Sequence, residues 1–472
     1  MIIAKQLRLL IASAACVSML MYGCTDKWDD RTELTDPNLR GNIYTHIAAD
    51  PDLTEFSKLL QKGGFDKVLA SSKTYTVWAP DNAAMANIDP EIVNDTAALR
   101  NFLENHISLS AFSTGANTDT ITVRTLNGKR HYFIGSRIAD VNLKKSNVYA
   151  ANGLIHIVDK ALLPKKNIWE FITSEESGST QQAAFLSALS EIGIFPQDSL
   201  YTNTDDPLQD NEFLRNVYNL SNENKKFTYF LISDEGLTSE MNKLLPYFNL
   251  PSADLDSSQN LAKYYVLRDM AFEGVYTPNQ LPNMLVSKFG VQVPIDKDNL
   301  SEPIQLSNGI VYKVNSIAVP LTNRLVTTIV EGEEPYAFSQ ADKRNNTFYR
   351  ERKDPAGSYF QDIMIQNHGI AQFKIFYRPV NMYSTTYKVY WRAVNDIQTN
   401  VFQQRLNMGI TANSPAFPYT NVELKNYDEV YLGEYTLTSF GNLYMSLVAA
   451  NTASNGANTL TLDYIKLVPQ VK

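Results

Sequence analysis

Hydrophobic and polar positions change rhythm several times along the chain. From Leu9 to Tyr22 no residue is charged, and Lys5 and Arg8 stand ahead of the run. A stretch of that kind reads as a signal peptide over residues 1–23, too short for the roughly 20 residues that span a bilayer. Residues 24–37 are polar and acidic with no apolar period, which predicts a flexible tether. Leu53, Phe56, Leu59 and Leu60 then recur at helical spacing. Asp52-Leu-Thr-Glu55 predicts a capping box opening that helix, and Gly63-Gly64 predicts its end. Tyr75–Pro80 is rich in strand formers, and Asp81 is placed to cap a helix beginning at Asn82. Residues 322–358 are polar and turn-rich. Strand-like runs follow at Ala371–Arg378, Thr386–Val394, Val430–Leu437, Leu443–Ala449 and Thr459–Val468, with no long helical pattern between them. This predicts an all-β sandwich over 322–472. In the last run Leu460 and Leu462 share a parity that Ile465 and Leu467 break, which predicts a bulge near Asp463-Tyr464.

The middle of the chain repeats itself. Asn152-Gly-Leu-Ile-His-Ile-Val-Asp-Lys-Ala-Leu-Leu-Pro164 recurs as Asn308-Gly-Ile-Val-Tyr-Lys-Val-Asn-Ser-Ile-Ala-Val-Pro320, with the asparagine, glycine, valine and proline in step. Tyr75–Asp81 has a partner in Phe227–Asp234. Two landmarks in one order imply a duplicated domain, over residues 38–166 and 167–321. Asn-Gly is a turn pair expected to launch an alternating apolar strand, and the proline is expected to end it. Strands mixed with short helices, without strict alternation, indicate two α+β domains ahead of the sandwich.

Composition narrows the function. The formal charge of −8 argues against a nucleic-acid partner, which needs a basic face. The only cysteines are Cys16 and Cys24, so the mature chain has no internal disulfide, thiolate nucleophile or cysteine metal site. His46, His106, His131, His156 and His368 show no metal-ligand spacing. No nucleophile elbow, P-loop or dinucleotide fingerprint is present. The reading is a protein without catalytic residues, metal or cofactor, in which His106 and His156 pack and hydrogen-bond. Sugar binding needs exposed aromatic faces beside polar groups. Tyr390 and Arg392 share a parity opposite to Tyr387, Val389 and Trp391, and Tyr431 and Glu434 lie near a strand end. These four are the candidate ligand-binding residues.

Four resemblances extend this reading. Leu20-Met21-Tyr22-Gly23-Cys24 resembles the bacterial lipobox, which implies that Cys24 is acylated and becomes the new N-terminus. Asp26, Asp29 and Asp30 resemble the surface-export signal of lipoproteins in the Bacteroides group. That implies an outer-membrane, lipid-anchored protein at the cell surface. Thr76-Val-Trp-Ala-Pro-Asp-Asn82, Leu103-Glu-Asn-His106-Ile107 and the string Asn152–Pro164 resemble successive boxes of the fasciclin domain. The second copy resembles a diverged one, with His106 replaced near Arg268 and His156 by Tyr312. The family implies extracellular adhesion and protein or glycan interaction. Leu462-Asp-Tyr-Ile-Lys-Leu-Val-Pro469 and Tyr431-Leu-Gly-Glu-Tyr435 resemble galactose-binding-like jelly rolls, which include many carbohydrate-binding modules. Together these imply a surface lipoprotein that engages a glycan or another protein in nutrient capture. The alternatives are an accessory subunit of an outer-membrane transporter complex and, less simply, an unrecognised hydrolase.

Overall fold

The computed structural model describes residues 37–116, 119–190, 211–250, 255–340 and 346–472. Cys24, the uncharged run and the acidic residues behind it lie outside the described residues. The chain divides into two compact units, residues 1–165 and 166–472, so 167–321 and 322–472 fall together in the second.

The first unit is built on one seven-stranded sheet. Its strands are β1 (Tyr75–Pro80), β2 (Ile107–Ser108), β3 (Ile121–Arg124), β4 (Arg130–Ile134), β5 (Arg137–Ile138), β6 (Val141–Ala150) and β7 (Gly153–Val158), in the order β2-β1-β7-β6-β5-β4-β3. β1 and β7 are parallel, with Trp78 beside His156, and the other pairs are antiparallel. Helices Ile43–Ala49, Thr54–Lys62 and Thr96–Asn105 bury Ile47, Phe56, Leu60 and Phe102 with Val77 and Ile155. On the other side of β1 and β7, Trp78 and Val158 pack with Val123, Phe133, Ile138 and Val141. Both faces of the parallel pair are thus covered, and every residue of β1 is buried.

Several sequence expectations are corrected here. β7 is buried continuously from Leu154 to Val158 and does not alternate, because it is sandwiched between two cores. It ends at Val158, well before Pro164. Asp52 opens no capping box: Asp50 caps a short 3-10 turn by accepting from the Asp52 N–H, and the Glu55 N–H bonds to Asn82 Oδ1 at 3.0 Å. The helix does stop at the glycines, with Gly64 left-handed at φ 75°. Asp81 does cap its helix, accepting from the Ala84 N–H.

Asn-Gly does more than turn the chain. A Cβ on Gly153 would lie 1.9 Å from the Tyr75 carbonyl oxygen, so only glycine lets β7 start beside β1. Buried Asn152 accepts from the Ile43 N–H at 2.8 Å and donates to the carbonyls of Leu69 and Ser71 at 2.7 and 2.8 Å. One side chain ties the first helix to the loop before β1.

The second unit opens with the same device. β8 (Phe227–Ile232), β9 (Ala271–Glu273), β10 (Met284–Val286), β11 (Gln292–Pro294), β12 (Ile304–Leu306) and β13 (Gly309–Val314) form a four-stranded sheet, β12-β13-β8-β9, and a separate hairpin, β10-β11. β8 and β13 are parallel and place Phe230 beside Tyr312. Gly309 would put a Cβ 1.9 Å from the Phe227 oxygen, and Asn308 accepts from the Ile168 N–H at 2.8 Å while donating to Leu220 O at 2.7 Å. Pro320 ends no strand but precedes the short helix Leu321–Arg324.

The sandwich follows as β14 (Thr328–Glu331), β15 (Ala337–Phe338), β16 (Thr347–Lys353), β17 (Tyr359–Ile365), β18 (Lys374–Tyr377), β19 (Thr386–Arg392), β20 (Phe402–Asn407), β21 (Thr420–Val422), β22 (Val430–Thr436), β23 (Met445–Ala449), β24 (Leu460–Leu462) and β25 (Tyr464–Pro469). They make three sheets, β14-β25-β19-β22, β15-β18-β23-β20-β21 and β16-β17-β24. The alternation expected of β18 and β19 is present: Ile375 and Tyr377, and Tyr387, Val389 and Trp391, point into the core. β14, β16, β17 and β20 lie outside the runs read from sequence, since they are short or carry Arg, Lys and Gln. The parity break near Asp463 is real, but its cause is a change of sheet: β24 pairs with β17 and β25 with β19. Buried Asp463 sits at the crossing, its N–H bonded to Arg392 O and its own carbonyl accepting from Gly332.

The second copy and the sandwich share one hydrophobic core. Phe248 packs against Tyr265, Phe440 and Tyr383 with centroids 4.7, 5.0 and 5.8 Å away. Beside this cluster Arg324 is buried with Glu240 at 2.8 Å and Asp269 at 3.5 Å, all three side chains about 2% exposed. The Tyr383 hydroxyl donates to Arg324 O.

Candidate functional site

The sequence candidates meet on the outer face of β14-β25-β19-β22. Because Tyr387, Val389 and Trp391 are inward, Lys388, Tyr390 and Arg392 are outward. Tyr390 lies between Lys466 of β25 and Tyr431 of β22. A bulge creates the tyrosine pair. Glu434 opposes Lys388 and Gly433 opposes Val389; the register then slips past Leu432, so Tyr431 opposes Tyr390. Without the slip Tyr431 would turn to the inner face. The two rings lie 5.1 Å apart at 48°, and Tyr431 keeps 51% of its surface exposed.

Lys466 extends the site, its Nζ 5.7 Å from the Tyr390 ring centre and 2.9 Å from Glu429 Oε2. Tyr464 donates to the same carboxylate at 2.8 Å. Partial burial opposes ionisation of Glu429, but the bonds from Lys466 and Tyr464 outweigh it and hold its carboxyl below the usual range. Desolvation, then Glu434 and Tyr390 nearby, push the Tyr431 hydroxyl up, so it stays protonated and can donate. Glu434 makes no hydrogen bond or ion pair among the described residues.

Arg392 is placed differently. Its guanidinium donates to Tyr427 O at 2.7 Å and to Asp463, approaches Asp354 at 3.5 Å and lies 4.4 Å from the Phe360 ring centre. These contacts occupy it where the strands change sheet. Burial raises Asp463 to about 6 despite the opposing pull of Arg392. Three of the four candidates therefore form one exposed patch, and Arg392 braces it from the side. Lys466, Glu429 and Tyr464 were missed by sequence reasoning. The alternation of Tyr464, Lys466 and Val468 with Ile465 and Leu467 carried a signal for Tyr464 and Lys466, whereas Glu429 lies outside the strand.

Other polar clusters are already engaged. In the first unit His106 bonds Phe102 O at 2.8 Å and accepts from the Leu162 N–H at 2.9 Å, and His156 stacks on Trp78 while bonding Phe112 O. A polar cleft of about 470 Å³ at the ends of β8 and β13 is lined by Ser177, Ser179, Ser233, Ser301 and Lys313, but each of these hydroxyls is bonded to main chain. Among the described residues no group of three or more His, Cys, Asp or Glu side chains could hold a metal ion.

Comparison with known proteins gives likenesses to parts of the chain. A fasciclin domain pair from the insect cell adhesion molecule Fasciclin I is 16% identical, with a TM-score of 0.23 over 58% of this chain and 98% of that one. A family 35 carbohydrate-binding module from Clostridium thermocellum is 15% identical, with a TM-score of 0.22 over 31% of this chain and 99% of that one. The transforming growth factor-beta-induced protein ig-h3 of Sus scrofa is 28% identical over 158 residues, 31% of this chain. The match spans only 23% of that relative's length. The family model of the fasciclin domain matches residues 51–164, which places that domain in the first unit.

Proposed function

We propose that this chain is a non-enzymatic cell-surface lipoprotein that binds a glycan on the outer face of its sandwich, in the service of nutrient capture. The observation that carries the reading is the Tyr390–Tyr431 pair, held open by a bulge beside a free carboxylate. An aromatic ring accepts the apolar face of a sugar, while Glu434 and the Tyr431 hydroxyl bond its hydroxyls. Lys466 and Glu429 neutralise each other and Arg392 is occupied, so the patch suits a neutral ligand. A binding role also agrees with the fasciclin domain match over residues 51–164.

Affinity electrophoresis of the whole protein through gels of neutral polysaccharides tests this. Tyr431→Ala and Tyr390→Ala should each weaken retardation about tenfold, the equivalent of 1–2 kcal/mol. Full retention by both variants would move the site elsewhere. The anchor is proposed at Cys24, and a Cys24→Ala chain should leave the membrane fraction; a chain that stays tightly membrane-bound would refute acylation there.

A further inference from the structure

The charge of the first unit is split along the chain. From Thr120 to Lys165 there are eight Lys and Arg against two Asp, whereas Pro37–Asp119 carries six against ten. The positive segment contains β3, β4 and β5. Val123, Phe133 and Ile138 of these strands are fully buried, which fixes their other face as outward. On that outer face Arg124 stands opposite Arg130, Thr122 opposite Tyr132 and Arg137 opposite Ile134. Tyr132 is 61% and Ile134 44% exposed. Arg124 and Arg137 have no acidic partner among the described residues.

This arrangement costs stability. Among the described residues Arg124 and Arg137 lack an acid beside them to neutralise their charge, and exposed tyrosine and isoleucine between them gain nothing from water. An anionic partner would offset both terms. Arg130 and Ile134 are four residues apart on β4, so the cations stand at the two ends of a row roughly 13 Å long at about 3.4 Å per residue. A single small anion cannot reach both ends. β3 is the end strand of the sheet, but β4 is hydrogen-bonded to β3 and β5 on its two sides, so Arg130, Tyr132 and Ile134 are reached only over the face. It offers guanidinium forks for carboxylates and, between them, a flat ring for a sugar.

We propose that the outer face of β3-β4-β5 is a docking surface for an acidic polysaccharide, one bearing uronate carboxylates along an extended chain. The surface is independent of the tyrosine patch on the sandwich and differs from it in charge.

The test uses the whole protein with polygalacturonate, dextran and poly-glutamate as probes, at low and rising salt. Polygalacturonate should bind with an affinity that falls steeply with salt, and dextran should not engage this face. The double variant Arg124→Gln/Arg137→Gln should weaken polygalacturonate binding at least tenfold while leaving Tyr431-dependent binding of neutral glycan unchanged. Tyr132→Ala should weaken it severalfold without altering its salt slope. Absence of polygalacturonate binding, or binding undiminished in the double variant, would overturn the proposal. Poly-glutamate binding as tightly as polygalacturonate would also overturn it, in favour of an acidic protein partner.

Discussion

In the first copy Trp78 stacks on His156 at 5.9 Å and 19°, and in the second Phe230 stacks on Tyr312 at 5.7 Å and the same angle. His156 bonds Phe112 O and Tyr312 bonds Tyr276 O, each at 2.8 Å. Thr76 and Thr228 accept from the N–H groups of those same two residues, each at 2.9 Å. The side chains of the two boxes differ, yet the backbone positions they hold coincide. What duplicated is a set of main-chain restraints around a parallel strand pair. Asparagine, glycine and threonine are retained because they act on backbone, and His156 and Tyr312 are interchangeable because each is a flat ring whose polar tip reaches a carbonyl.

The surroundings diverge. The first copy closes its sheet between two cores of its own and keeps neutral histidines inside. The second copy has no histidine and buries a charged trio, Arg324 with Glu240 and Asp269, where it merges with the sandwich. Such a trio is costly to desolvate and costly to break.

The comparison can be broken first at its shared feature. Gly153→Ala and Gly309→Ala each drive a methyl into a carbonyl oxygen, and each should cost more than about 4 kcal/mol. Gly153→Ala should expose the first unit alone to protease. Gly309→Ala should release the second copy and the sandwich together, because they share a core. Independent survival of residues 322–472 in the second variant would refute the shared core.

A smaller effect separates the copies by pH. Burial holds His106 and His131 at about 4, with nearby positive charge adding to the depression. The unfolded chain therefore binds their protons first. Stability from this source is complete above about pH 6.5 and is lost as pH falls toward 4, on the order of 3 kcal/mol per histidine. Hydrogen exchange at pH 7 and 5 should show β1 losing protection before β8. Equal loss in both strands would show that the buried histidines are not the cause.

The duplication was legible because its marks are rigid chemical necessities: a glycine where no Cβ fits and an asparagine with three backbone partners. The sandwich was legible where strands alternate, as in Phe373-Ile375-Tyr377 and Tyr387-Val389-Trp391. Strands buried on both faces carry no alternation, so the pattern of β7 was misjudged. Glu55 found its partner in Asn82, beyond the reach of a local capping rule. Of the candidate patch, the outward direction of Tyr390 followed from parity. Its meeting with Tyr431 did not, because a bulge between strands leaves no trace in either strand alone. The engagement of Arg392 by Asp463 depended on a strand changing sheets.

The position of β25 has a consequence for how the protein is made. β14 begins the sandwich immediately after the second copy, yet its only neighbour in the sheet is β25, with Thr328 paired to Leu467. β19 also depends on β25 for one of its two edges. As the chain emerges from the ribosome, the first unit can close on residues already synthesised. β14 must wait, its hydrogen-bonding edge exposed, until Leu467 has been added. Pairing across so long a loop is slow, and an unpaired edge is prone to join the wrong chain. The vulnerable interval of this protein's birth therefore belongs to its second unit.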